Sequence, residues 1–130
     1  MAPASVFSVT GVDHVNLETP QLDASVAFYQ EVLGLELGWR PPFDIPGAWL
    51  YAGDRPVIHL VLRHDAPQAK DRPVNHFAFQ TTGLASLKER LTARGLDFEE
   101  TTVPGTKIVQ IFFRDPNNVG VECSFNNLEA

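Results

Sequence analysis

An octapeptide occurs twice in this chain of 130 residues. Val12-Asp13-His14-Val15-Asn16-Leu17-Glu18-Thr19 returns as Val74-Asn75-His76-Phe77-Ala78-Phe79-Gln80-Thr81, with Val, His and Thr unchanged and most other pairs conservative. Downstream, Gly34-Leu35-Glu36 returns as Gly95-Leu96-Asp97 at almost the same offset. A repeat of this kind restricts the fold more than composition does. Each copy is one supersecondary unit, and neither can bury its apolar face alone.

Both copies read as βαβββ. The octapeptides alternate as half-buried strands do: Val15 and Leu17 oppose His14, Asn16 and Glu18, and Phe77 and Phe79 oppose His76, Ala78 and Gln80. A helix follows each. In the first copy Thr19 is placed to cap it, Pro20 suits the first helical position, Leu22, Val26, Tyr29 and Leu33 form its stripe, and Gly34 ends it. In the second, Leu84, Leu87 and Leu91 form the stripe and Gly95 ends it. Three strands close each copy: about 35–40, 48–52 and 57–63 in the first, and about 97–103, 107–114 and 119–125 in the second. Gly53-Asp54-Arg55-Pro56, Pro104-Gly105 and Asp115-Pro116-Asn117-Asn118 supply turns, and Pro41–Pro46 is too rich in proline for a central strand. The expectation is one α+β domain over 1–130. Module one covers about 12–63, a linker 64–73 and module two about 74–125. The two βαβββ modules form an eight-stranded mixed sheet, with helices on one face and a metal-binding cup on the other.

The formal net charge is −6, so there is no basic footprint for nucleic acid and no polybasic membrane patch. Apolar runs are strand-sized, which argues against a membrane span. The single cysteine, Cys123, cannot form an intramolecular disulfide and suits a reducing cytoplasm. Residues 1–11 lack a positive n-region, so no signal peptide is expected.

Alternation assigns the chemistry. Ile58, Leu60 and Leu62 face the helices and leave His59 on the other side; Val121, Cys123 and Phe125 do the same for Glu122 and Ser124. His14, His59, His76 and Glu122 therefore share the helix-free face, in two repeat-related pairs: His14 with His76, and His59 with Glu122. Three imidazoles and a carboxylate suit a borderline divalent ion such as zinc, nickel, iron(II), cobalt or manganese. Asn16, Gln80, Gln110 and Phe112 lie on the same face, and Trp39 and Trp49 are candidate pocket walls beside it. Cys123 reads as an inert core thiol and His64 as a solvated linker residue.

The chain resembles the vicinal oxygen chelate superfamily, which includes glyoxalase I, bleomycin-binding proteins, fosfomycin-resistance enzymes and extradiol dioxygenases. The resemblance runs from about Val12 to Phe125. It is carried by Val12-Asp13-His14-Val15, Phe28-Tyr29 leading to Leu33-Gly34-Leu35, Val74-Asn75-His76, and Arg114-Asp115-Pro116-Asn117 leading to Glu122. It implies metal ligands at His14, His76 and Glu122, with His59 where glyoxalase I-like enzymes usually place a glutamate. It implies a glyoxalase I-like lyase or isomerase whose small substrate chelates the metal through adjacent oxygens, with Glu122 and His59 as catalytic groups. An iron(II) extradiol dioxygenase is the alternative, although Phe112 stands near where those enzymes use a tyrosine. A drug-binding or drug-modifying resistance protein is the third. Relatives often pair, so a homodimer is expected.

Overall fold

The computed structural model describes residues 6–66 and 74–126. The elements are β1 (Val15–Thr19), α1 (Leu22–Glu31), β2 (Glu36–Gly38), β3 (Gly47–Ala52), β4 (Arg55–Leu62), β5 (His76–Gln80), α2 (Leu84–Ala93), β6 (Glu99–Thr102), β7 (Val109–Arg114) and β8 (Gly120–Phe125). This is βαβββ twice. The expected eight strands are present as two four-stranded mixed sheets, one per module, ordered β1-β4-β3-β2 and β5-β8-β7-β6. Most of the expected linker, residues 67–73, lies outside the described residues.

The two sheets repeat one register. β1 runs parallel to β4 with Asn16 opposite His59, and β5 runs parallel to β8 with Ala78 opposite Glu122. Across the antiparallel pairs, Trp49 stands opposite His59 and Phe112 opposite Glu122. His59 and Glu122 are thus equivalent positions of one repeated frame, and so are Trp49 and Phe112.

The helix-facing sides form the core. Leu50, Ile58, Leu60, Ile111 and Val121 are wholly buried, and α1 and α2 cover them with Phe28, Tyr29, Val32, Leu84, Leu87 and Leu91. Each large apolar side chain so buried contributes about 1.5–3 kcal/mol. Cys123 is buried among them, and burial pushes its thiol up to about 12, as expected for an inert core residue.

Three local readings change. The strand expected over 35–40 stops at Gly38, because the Tyr51 ring lies where a Cβ at Gly38 would be, and the Tyr51 hydroxyl donates to the Trp39 carbonyl at 2.6 Å. The buried stripe of α1 is Ser25, Phe28, Tyr29 and Val32, with Leu22, Val26 and Leu33 at its margins. Thr19 does not cap α1: Gln21 is the N-cap and has no side-chain cap bond. The Thr19 hydroxyl instead accepts from Gln21 N and donates to Asn117 at 2.7 Å.

The two changes at α1 share a cause, a polar seam that joins the modules. Asn117 donates to Ser25 at 2.9 Å, Gln21 donates to the Pro116 carbonyl at 2.8 Å, and the Tyr29 hydroxyl donates to Asp115 at 2.8 Å. Asp115 also accepts from the backbone N–H groups of Asn117 and Val119. Buried polar groups must be satisfied, so α1 turns its hydroxyl-bearing side toward the β7–β8 turn. Burial raises the Asp115 carboxyl above its ordinary value, although its three hydrogen-bond donors pull the other way.

Candidate metal centre

In module one the candidate ligands form a stack. The rings of His14 and His59 lie 3.8 Å apart at 12°, and those of His59 and Trp49 lie 3.9 Å apart at 11°. Trp49 stands opposite His59 across β3 and β4, and His14 immediately precedes β1, whose Asn16 stands opposite His59 on the other side. They line a cleft of about 590 Å³ with Asn16, Arg40 and Phe43. In module two the equivalent positions form a hydrogen-bonded group. His76 Nε2 is 3.0 Å from Glu122 Oε1, Gln110 donates to Glu122 Oε2 at 3.2 Å, and Phe112 meets the His76 ring edge-on at 5.4 Å. Glu122 is buried at 7% exposure, whereas His14 and His76 are exposed.

The histidines are held in a way that suits metal binding. His14 Nδ1 lies 2.7 Å from the Asp13 carboxylate, and His76 Nδ1 lies 2.8 Å from the Asn75 side-chain oxygen. In both, an oxygen accepts a hydrogen bond from Nδ1–H and leaves Nε2 as the lone-pair nitrogen, the arrangement by which proteins orient metal-bound imidazoles. His59 is the mirror case. Its Nε2 lies 3.1 Å from the Pro56 carbonyl, so Nε2 donates and Nδ1 keeps the lone pair. Burial, reinforced by the charge of His14, lowers the His59 pKa and favours the neutral ring. The hydrogen bond from His14 lowers the Asp13 carboxyl in turn. At His76 and Glu122 two acceptors face one another at 3.0 Å. They need a cation between them, either a proton or a metal ion.

Sequence reasoning missed Asp13, Asn75 and Arg40. The first two were visible as the residues before each histidine in the repeat. Arg40 lies in an irregular segment that no periodicity marks. Among the other candidates, Asn16 lines the first cleft and Gln110 holds Glu122. Trp39 is 70% exposed and meets the edge of Trp49 outside the cleft-lining residues, and Gln80 is exposed near the far end of β5.

The donor chemistry fits a borderline divalent ion, but one chain divides the donors two and two. His14 and His59 line one cleft; His76 lines another, of about 520 Å³, that shares no residue with the first. Among the described residues, no group of three or more His, Cys, Asp or Glu side chains gathers in metal-binding range.

A family model for the Glyoxalase/Bleomycin resistance protein/Dioxygenase superfamily matches residues 11–123. The chain belongs to this superfamily. The match covers both modules and all four candidate ligands of this superfamily member. A curated relative, Glyoxylase I 4 of Arabidopsis thaliana, is 31% identical over 132 residues, spanning 92% of this chain and 74% of that one. Among solved structures, a glyoxylase/bleomycin resistance protein/dioxygenase domain from Frankia sp. EAN1pec superposes with a TM-score of 0.78 at 26% identity, covering 92% of this chain and all of that one. The fosfomycin resistance protein of Listeria monocytogenes, solved with manganese(II) and a dihydroxypropylphosphonic acid, has a TM-score of 0.75 at 22% identity, with 94% and 96% covered, and shares the fold. Among the described residues, no helix is long and apolar enough to cross a membrane.

Proposed function

We propose that this superfamily member is a divalent-metal-dependent enzyme of the glyoxalase I-like lyase or isomerase type, acting on a small substrate that offers two adjacent oxygens. The observation that carries this reading is the matched pair of half-sites. Each module presents a histidine oriented by its preceding residue, and each adds a second donor at the equivalent register position. Because one chain holds the halves apart, the reading includes a homodimer in which His14 and His59 of one protomer meet His76 and Glu122 of its partner. The buried Cys123 thiol suits the reducing cytoplasm where we place it.

When bound, the ion supplies Lewis-acid polarisation of the substrate oxygens. The chain's own groups do the proton work. Glu122 is the general base, with Gln110 fixing one carboxylate oxygen so that the other is aimed toward His76. His59, kept neutral by burial and with Nε2 donating to the Pro56 carbonyl, offers its Nδ1 lone pair to the ion. The neutral His59 also favours extradiol ring cleavage as the second reading, in which it is the acid–base group. Phe112 opposes that reading, because it cannot donate a hydrogen bond to an oxygenated ring.

The test combines His59→Ala and Glu122→Ala chains. Each variant alone should lose metal and activity. In a mixed dimer with shared sites, one site per dimer regains all four donors, and metal binding returns in part. No recovery on mixing would overturn the shared site; failure of the wild type to take up any divalent ion would overturn the enzyme reading. Methylglyoxal with glutathione, and catechols with oxygen uptake, separate the lyase from the dioxygenase.

A further inference from the structure

The cleft of module one holds a cation that neither the ligand set nor the proton work uses. Arg40 is half-buried on its wall. One guanidinium nitrogen donates to the Ile45 carbonyl at 2.9 Å, and the group sits 4.9 Å from the centroid of the Phe43 ring. Its Nε is buried without a hydrogen-bond partner, and among the described residues Arg40 forms no ion pair. Gly47 makes room for it: a Cβ there would lie 2.8 Å from the guanidinium nitrogen Nη2 and 2.3 Å from the Leu60 carbonyl. A fixed guanidinium with unspent donors favours an oxyanion.

The rest of the cleft sets the shape and charge of that anion. Phe43, Ile45, Trp49 and Val61 give it an apolar, partly aromatic wall. Arg40 is the one fixed cation among the lining residues, and Asp44 lies on the same lining. A dianion would meet one guanidinium and a carboxylate; a monoanion is better matched. The volume of about 590 Å³ suits a small molecule.

We propose that Arg40 determines specificity by binding the carboxylate of a small monoanionic substrate whose aromatic or branched apolar body packs along Phe43 and Trp49. This rests on the reading that the cleft is the substrate side of the metal centre, and it names the substrate class. The single cation also fits a monocarboxylate better than the two carboxylates of glutathione.

The experiment is calorimetric titration of the full chain with phenylacetate, phenylacetamide and benzylphosphonate, with bound metal measured in parallel. Phenylacetate should bind at least about tenfold tighter than the amide, since a charge-assisted contact is lost in the amide. Arg40→Gln should abolish that preference, Arg40→Lys should restore part of it, and metal content should stay unchanged in both. Equal binding of acid and amide, tighter binding of the phosphonate, or no binding of phenylacetate would overturn the proposal and leave the metal reading intact. A carboxylate preference that follows Arg40 in protein that takes up no added divalent ion would support the Arg40 assignment and overturn only the metal reading.

Discussion

The two modules share a backbone frame and differ in what they place on it. At equivalent positions, module one has His14, His59 and Trp49 as a stack of flat rings, whereas module two has His76, Glu122 and Phe112 with a buried carboxylate as the central group. Their β3–β4 and β7–β8 turns diverge as well. Asp54 in the first is exposed, whereas Asp115 in the second is buried against α1 of the other module. Repetition thus preserves register and hydrogen-bond ladders, while side chains on the open face and at the turns are free to specialise. A buried carboxylate stands at the centre of one half of the proposed site and stacked rings at the centre of the other.

The largest expected effect comes from module two. Glu122→Gln should lower kcat/KM by about a hundred- to ten-thousandfold with the fold intact by circular dichroism, because it removes the general base while preserving shape. A loss below tenfold would mean that the base lies elsewhere. His59→Glu tests the same frame from the other side by giving module one the carboxylate of module two. Carboxylate oxygen is an ordinary ligand for such ions, so metal content should remain near the wild-type level by elemental analysis. Loss of metal in this variant would show that the two positions are not interchangeable.

The turns predict an unequal pair. Asp115→Ala strands the Tyr29 hydroxyl and two backbone N–H groups, and should cost about 3 kcal/mol in urea unfolding. Asp54→Ala should fall within about 0.5 kcal/mol of wild type. Equal costs would remove the distinction between the two turns.

A pH effect follows from the same carboxyl. Burial raises Asp115 above its ordinary 3.8. From about its ordinary value up to the raised one, the native state holds the proton more firmly than the unfolded chain. Its contribution to stability is therefore greatest below 3.8, falls as pH rises through the window, and is constant above it. Asp115→Asn should lack that slope when unfolding is followed across acidic pH. Tyr29→Phe should cost less than Asp115→Ala, about 1 kcal/mol, since Asp115 keeps two of its three donors.

Periodicity in the sequence was enough to define the repeat, the βαβββ order and the face on which each candidate ligand lies. These depend on local geometry, because side chains in a strand alternate whatever packs against them. The stripe of α2 was legible for the same reason: Leu84, Leu87 and Leu91 are buried at the spacing that the periodicity marks. The stripe of α1 and the role of Thr19 were not legible, because the partners that reorient them, Asp115 and Asn117, lie in the other module and no local pattern encodes a seam between distant segments. Arg40 belongs with these, since its place on the cleft wall depends on the open space at Gly47. The sequence determined which donors share a face; only the tertiary structure decided that they stand two and two, because the seam joins the modules through α1 and the β7–β8 turn and leaves each open face to find its complement.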